Sequence, residues 1–291
     1  MRAANRSCCW ACVLGLSLAL FSRPLRANAQ EANTAQPGNE GEAAQATDDD
    51  DITQPVRTFD IRYHFENDSM ATRNDKEQVI LRRNFREDFI PDWQMGLRGD
   101  LPITFSNAMS AGNPDGDYQT GVGRLLFLGY VGHILDDRQA LGLGDEIMSP
   151  AVSGKPFGSG SWDMLPIAGY RYMLPEISPG SYFLPEFRYS FTFAQSFAST
   201  PTSNLQFSPE LRIALPDKWF FVLFPSTDIR YNFGAKVKTQ TGRLFLPLDA
   251  QIGRAIGDRF ITSLEVSAPI VDNYPVYRLK IELRLSYQLG A

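Results

Sequence analysis

The chain has 291 residues, of which 43% are hydrophobic and 21% charged, and its formal net charge is −5. After the N-terminal stretch no apolar run reaches the length of a transmembrane helix, so the sequence excludes a polytopic helical membrane protein. The acidic balance and the lack of a basic stripe argue against binding to nucleic acid. A membrane β-barrel stays open, because strands that are polar at every second residue lower the average hydropathy.

The first 29 residues have the pattern of a secretory signal peptide. Arg2 and Arg6 precede an apolar stretch at 8–21, and small residues at 27–29 follow it, so cleavage is expected after Ala29. All three cysteines of the chain lie inside this segment. The mature chain is therefore expected to lack disulfides and any cysteine-based metal site.

Residues 30–55 carry seven acidic residues and no Lys or Arg. Their few apolar residues are mostly alanine, so they cannot bury enough surface to offset the cost of ordering the backbone. We predict a disordered acidic linker here. The aspartate run at 48–51 is interpreted as solvated rather than as a calcium loop, because its ligands are not spaced around a glycine turn.

From residue 56 to the end, the dominant pattern is alternation of apolar and polar residues. Between Tyr277 and Leu289 every odd position is apolar or aromatic and every even position is polar or charged. A strand with this pattern has one apolar and one polar face. Clear segments of the same kind are 59–65, 183–193, 205–215, 219–233, 244–252 and 260–268, and weaker ones are 76–85, 92–103, 117–131, 138–149 and 161–174.

These segments predict about twelve strands of roughly ten residues, the length that a tilted strand needs to cross a bilayer. The connections alternate between short Pro/Asp-rich turns and longer polar loops, as in outer-membrane barrels. Aromatic residues are frequent near the strand ends. We therefore predict an all-β protein, a closed antiparallel transmembrane β-barrel over 56–291. A soluble β-sandwich is the alternative, but its strands are typically shorter.

Several strands place an acidic residue and an arginine two positions apart on the polar face. In a closed barrel such residues would form a ladder of ion pairs along the lumen. The predicted lumen-lining residues, all polar-face positions of the barrel, are Asp60, Arg62, His64, Arg98, Glu186, Arg188, Glu210, Arg212, Asp228, Arg230, Asp249, Glu265, Arg278, Lys280, Glu282 and Arg284.

Three functions are compatible with this lumen. The first is passive passage of a small solute through a narrow, charged pore with little ion selectivity, since the charges nearly balance. The second is a structural or adhesive barrel with a plugged lumen. The third is an outer-membrane lipase, which we disfavour because the only histidines are His64 and His133 and no motif joins either one to a serine. No catalytic residue, metal or cofactor is expected.

Residues 118–289 also resemble a known family. The matching motifs are Thr120-Gly121-Val122-Gly123, Gly158-Ser159-Gly160-Ser161-Trp162 with Pro166, Tyr189-Ser190-Phe191, Leu215-Pro216 with Trp219, Leu246-Pro247-Leu248 and Ile252-Gly253-Arg254. The chain resembles the MetA-pathway phenol-degradation family of bacterial outer-membrane barrel proteins. This resemblance implies an outer-membrane location and uptake of small, aromatic or hydrophobic compounds. The expected partners are outer-membrane lipid, the barrel-assembly machinery and a small-molecule solute, and a monomer is expected.

Overall fold

A computed structural model describes residues 50–67, 75–108, 113–197, 199–235 and 240–289. Within these ranges the chain forms fourteen strands and two single-turn 3₁₀ helices, at Lys155–Phe157 and Pro216–Lys218. No helix in the described part of the chain is long and apolar enough to cross a membrane. The strands are β1 (Thr58–Asn67), β2 (Asp75–Ile90), β3 (Trp93–Ser106), β4 (Gln119–Val122), β5 (Arg124–Ile134), β6 (Gln139–Ala151), β7 (Ser161–Met173), β8 (Tyr182–Gln195), β9 (Ser203–Ala214), β10 (Trp219–Leu223), β11 (Ile229–Asn232), β12 (Leu244–Ile256), β13 (Phe260–Asp272) and β14 (Leu279–Gln288).

The strands form one closed antiparallel barrel. Each strand pairs with its neighbour in the chain, and β1 pairs with β14, which closes the ring. Two positions in the ring hold interrupted strands: β4 and β5 both pair with β3, and β10 and β11 both pair with β9 and β12. The barrel therefore has twelve strand positions, and the predicted fold class is confirmed.

The burial of side chains is inverted relative to that of a soluble protein. On β1, Asp60 is 0% exposed and Arg62 is 3% exposed, whereas Phe59 and Ile61 are 39% and 44% exposed. The same alternation runs along β13, where Ser263, Glu265 and Ser267 are buried and the residues between them are exposed. The polar faces of the strands therefore line the interior, and the apolar faces form the outside of the barrel.

The short turns lie at one rim, which is also where β1 begins and β14 ends, since Thr58 pairs with Gln288. Asp92 and Asp217 adopt a positive φ in two of these turns, a conformation that Asp tolerates better than most residues. Trp93 and Trp219 lie exposed near strand ends at this edge of the barrel, which we call the short-turn rim, and Trp162 lies exposed at the opposite edge, where β7 begins.

Residues 50–56, named here the inner segment, lie inside the barrel before the chain enters β1. Ile52 packs against Leu128, Tyr130 and Ile167, whose side chains point inward from β5 and β7. Strand glycines make room for it, because a Cβ at Gly142 would lie 2.7 Å from the carbonyl oxygen of Ile52. The barrel is therefore partly filled by its own chain.

This arrangement corrects one part of the sequence prediction. The stretch 30–55 was expected to be disordered because it has few apolar residues, yet residues 50–55 are packed in the lumen. The prediction considered only the apolar surface that the segment could bury. It did not consider that arginines of the barrel wall would form ion pairs with Asp50 and Asp51. The predicted signal peptide at 1–29 and the rest of the predicted linker, 30–49, lie outside the described residues.

Candidate functional site

The lumen contains a cavity of about 220 Å³. This is far more than the roughly 10–15 Å³ that one water molecule requires. Its wall is mostly polar, with one apolar strip from the inner segment and two strands. The lining residues are Asp50, Ile52, Arg62, His64, Glu66, Arg82, Arg98, Leu126, Leu128, Ile167, Glu186, Arg188, Gln206, Ser208, Glu210, Pro225, Ser226, Thr227, Asp228, Arg230, Lys280 and Glu282.

Four arginines converge on a single carboxylate at one side of this cavity. We call Arg62, Arg82, Arg98 and Arg284 the arginine cluster. The nearest guanidinium nitrogens lie 3.2 Å (Arg62), 2.5 Å (Arg82), 2.9 Å (Arg98) and 2.8 Å (Arg284) from the carboxylate oxygens of Asp50. The arginines come from β1, β2, β3 and β14, so the inner segment is bound to adjacent strands on both sides of the closure between β1 and β14.

The arginine cluster keeps Asp50 ionised. Burial alone would raise the pKa of its carboxyl group, but the four guanidinium groups hold that pKa well below its ordinary value. An acid with a depressed pKa stabilises the folded state above its unfolded pKa of about 4, and this contribution is lost as the pH falls through the depressed value. The Asp50 contacts are therefore complete at neutral pH.

Other contacts fix the rest of the inner segment. The carboxylate of Asp51 accepts hydrogen bonds from the backbone N–H and the hydroxyl of Thr53, at 2.8 and 2.6 Å. Arg171 lies 3.0 Å from the Asp51 carboxylate and also donates to Gln54. Two consecutive aspartates of the chain thus bind different arginines on different strands.

A second charged centre surrounds Lys280 on the far side of β14. We call Lys280, Asp228, Asp249 and Glu265 the lysine cluster. The ammonium group lies 2.5 Å from Asp228 and 3.2 Å from Asp249, and it also pairs with Glu265. The three carboxylates are close enough together to hold a cation, and the lysine supplies that charge. The hydroxyl of Tyr277 also donates to Asp228, at 2.9 Å.

The cavity is narrowed on another side by an interruption between β10 and β11. Five residues, 224–228, stand opposite only three of β9, 208–210, so two extra residues bend into the lumen. Phe224 has a φ of +53°, and its carbonyl oxygen accepts a hydrogen bond from the Ser208 hydroxyl. Arg188 of β8 donates to Thr227 at the tip. We call residues 224–228 the inward loop.

Of the predicted lumen residues, all but Arg278 are buried or half-buried on the inner face of the barrel. Those that line the cavity are Arg62, His64, Arg98, Glu186, Arg188, Glu210, Asp228, Arg230, Lys280 and Glu282. The remaining ones are Asp60, Arg212, Asp249, Glu265 and Arg284, which are buried in the wall around it.

The prediction that Arg278 lines the lumen is wrong. The regular strand β14 begins only at Leu279, and before it the chain changes phase. Tyr277 is therefore the inward residue, fully buried against Phe245 with ring centroids 4.9 Å apart, and Arg278 is exposed. The alternating letters of this segment did not reveal that its first two residues belong to a loop.

The expected ladder of cross-strand ion pairs forms only in part. Arg62 reaches Glu282 on the neighbouring strand at 3.1 Å. Arg284 pairs with Glu282 two residues away on its own strand, at 3.3 Å, and Arg230 pairs with Asp228 of the inward loop, at 2.7 Å. Arg212 packs over the Phe220 ring at 3.9 Å. The charges thus gather into clusters rather than forming an even ladder.

Neither histidine lies in an arrangement typical of a lipase. His64 has its Nδ1 atom 3.0 Å from Glu282 and its Nε2 atom 3.1 Å from Glu66, so carboxylates contact both nitrogens. His133 stacks on Trp93 at the short-turn rim, with ring centroids 4.2 Å apart. Among the described residues, no serine hydroxyl hydrogen-bonds to either ring.

The sequence analysis did not identify several charged side chains that contact the residues of the cavity wall. Glu146 is 1% exposed and pairs with Arg188 at 3.0 Å and with Arg98 at 3.4 Å. Arg82 binds Asp100 through two hydrogen bonds of 2.7 and 2.8 Å besides its contact with Asp50. Both lie on strands whose apolar and polar residues alternate only weakly. The sequence feature that could have identified them is that they occupy the same alternate positions as other polar residues of those strands.

Comparison with known proteins supports the fold and leaves the family open. No protein-family model and no curated protein matches the chain. An outer membrane channel from Pseudomonas putida F1 superposes with a TM-score of 0.63 at 13% identity, covering 84% of this chain and all of that one. Weaker similarities include the NanC porin (TM-score 0.49, 8% identity, 80% and 100% covered). The outer membrane phospholipase A of Escherichia coli is similarly distant (0.46, 8%, 80% and 97%). The chain therefore has the fold of an outer-membrane barrel, and the resemblance to the phenol-degradation family stays a prediction.

Proposed function

We propose that this protein is an outer-membrane channel that passes small solutes through a narrow, charged lumen. The observation that carries the proposal is the inverted barrel: a polar cavity of about 220 Å³ lies inside a closed ring of strands whose outer face is apolar. A closed barrel satisfies every backbone group within the wall, as a strand protein in lipid must. A hydrated cavity of this size suits small molecules rather than polymers.

The same features support an outer-membrane location and insertion by the barrel-assembly machinery. Large apolar side chains on successive outward positions of β14 and β13, such as Leu283, Leu285 and Leu264, are 39–50% exposed. A soluble protein rarely exposes so continuous an apolar surface. We propose a monomer, because a single chain closes the barrel.

The wall of the cavity also suggests which kind of solute passes. An apolar strip of Ile52, Leu126, Leu128 and Ile167 borders the cavity beside the charged groups. A solute with both an apolar or aromatic body and a polar group matches such a wall. This agrees with the uptake of aromatic or hydrophobic compounds that the family resemblance implies.

The runner-up is a structural or adhesive barrel with a plugged lumen. The inner segment and the inward loop favour it, because both occupy space that a wider pore would leave to water. The arrangement of His64 and His133 supports a function without catalysis. We therefore propose a restricted channel rather than an enzyme.

Planar-bilayer recording of the full-length protein tests the proposal. We expect a small, steady conductance from a purified, heat-modifiable monomer, with equal permeability to cations and anions within a few-fold because the lumen charges nearly balance. Boiled protein is the matched control. An absence of current together with an absence of solute entry into proteoliposomes would favour the plugged structural barrel.

A further inference from the structure

The contacts of Asp50 have the chemistry of a ligand in its binding site. One carboxylate is bound by guanidinium groups from four strands, at 2.5–3.2 Å. Guanidinium–carboxylate pairs are among the strongest hydrogen-bonded pairs in proteins, because both partners are charged and their geometries match. The strands of the barrel supply all four arginines, whereas the carboxylate comes from the inner segment, which lies in the lumen and is not part of a strand.

Acids of the wall share the arginine cluster with Asp50. Glu282 lies 3.1 Å from Arg62 and 3.3 Å from Arg284, Asp100 pairs with Arg82, and Glu146 lies 3.4 Å from Arg98. Asp50 contacts all four arginines, and it comes from the inner segment rather than from a strand. The convergence of four guanidinium groups on one point, rather than an excess of positive charge, makes the cluster suited to a carboxylate.

The site is accessible from the cavity. The side chain of Asp50 keeps 25% of its surface exposed, whereas those of the four arginines keep only 4–8%. The arginines are thus fixed in the wall, and the carboxylate that covers them faces the open space. A solute that reaches the cavity meets this contact directly.

We propose that the arginine cluster is a binding site for small organic carboxylates and that Asp50 occupies it as a tethered stand-in for the solute. This inference rests on the proposed channel function and names the solute class. The apolar strip beside the cluster favours a carboxylate joined to an apolar body, with benzoate as the simplest probe. A solute carboxylate takes the place of Asp50, and the inner segment moves as the site is taken.

Calorimetric titration of the full-length protein in detergent with benzoate tests the site. The tethered carboxylate competes at a high effective concentration, so Asp50→Asn should bind benzoate at least tenfold more tightly than the wild type. Asp50→Glu should bind as weakly as the wild type, because it restores the competing charge. Asp258→Asn, a matched change at an exposed turn residue on the short-turn rim, should also behave as the wild type. Equal affinity of Asp50→Asn and Asp258→Asn would overturn the proposal.

The wild-type chain offers a test that does not depend on the folding of a variant. Saturating benzoate should speed hydrogen exchange at the Thr53 amide, whose bond to Asp51 depends on the docked inner segment. Benzyl alcohol, the neutral analogue, should leave this exchange unchanged. If benzoate leaves it unchanged too, Asp50 is not displaced and the proposal is wrong.

Bilayer recording separates this inference from the channel proposal. If Asp50→Asn binds benzoate but neither it nor the wild type conducts, the carboxylate site stands and the channel function fails. If both proteins conduct and neither binds benzoate more tightly than Asp258→Asn, the channel stands and the carboxylate site fails.

Discussion

At the scale of single residues, Lys280 is a buried cation that pairs with three carboxylates. Its ammonium group is surrounded by Asp228, Asp249 and Glu265, and its side chain is only 4% exposed. A buried ion pair adds little stability over an apolar replacement of both partners. Removing one partner is costly, because the remaining charges stay buried without compensation. Here the loss of one cation would leave three carboxylates facing one another.

Lys280→Met should therefore lower the free energy of unfolding by about 3–5 kcal/mol. Urea unfolding in phospholipid vesicles, followed by the shift between heat-modifiable gel bands, measures the change. Lys218→Met is the matched control, because Lys218 is a half-exposed turn residue paired with exposed Asp258, and such pairs contribute about 1 kcal/mol or less. Equal unfolding midpoints for Lys280→Met and Lys218→Met would contradict the prediction.

At the scale of structural elements, the interruption between β10 and β11 decides how wide the lumen is. The inward loop carries two residues more than β9 needs, and the same excess holds against β12, where 224–229 stand opposite 246–249. Because the excess is even, the strand resumes with its inward and outward faces unchanged. The loop is thus an insertion into an otherwise continuous strand.

Deleting Phe224 and Pro225 should make this strand continuous and widen the lumen. We expect the single-channel conductance to rise at least twofold, because the tip at Thr227 would retreat into the wall. Deleting Asp115 and Gly116 from a rim loop is the control of equal length and should leave the conductance near that of the wild type. Unchanged conductance in the first variant would mean that the inward loop does not form the constriction.

The limits of sequence-based prediction are visible in the same elements. Alternation located nearly all strands, since Phe59, Ile61 and Tyr63 can only form one outer face. It missed the inward loop because an insertion of two residues keeps Leu223 and Ile229 in phase. It missed the inner segment because the partners of Asp50 lie on four different strands, one of them 234 residues away in the sequence. Contacts between such distant positions leave no periodic trace in a single chain.

At the scale of the whole molecule, the barrel exchanges the usual roles of its two faces. Among the described residues no element packs over the apolar outside, so its burial would require lipid or detergent. Mutations on this face should therefore report on the surrounding solvent rather than on packing within the protein. This distinguishes a membrane barrel from a soluble barrel that merely has an unusual surface.

Leu283→Arg makes this distinction. Leu283 is 50% exposed on the outer face at the middle of β14, where it pairs with Tyr63 and Leu264. In a bilayer the substitution should cost about 2–4 kcal/mol of unfolding free energy, whereas on a water-exposed surface it would be within about 0.5 kcal/mol. Ile177→Arg, at an exposed turn position on the short-turn rim, is the control. Equal, small effects of both variants would argue against a lipid-facing surface.

The position of Asp50 also has a consequence for how the protein assembles. Arg62 and Arg284 stand directly opposite each other where the first strand meets the last, and like charges so placed repel. The Asp50 carboxylate accepts hydrogen bonds from both of them. It therefore offsets their repulsion at the point where β1 and β14 must pair to close the ring. Pairing the two ends of a chain is a slow step in forming a β-sheet protein. The segment that narrows the finished barrel therefore also favours its completion, and a chain that lacks this carboxylate should accumulate as an open sheet for longer.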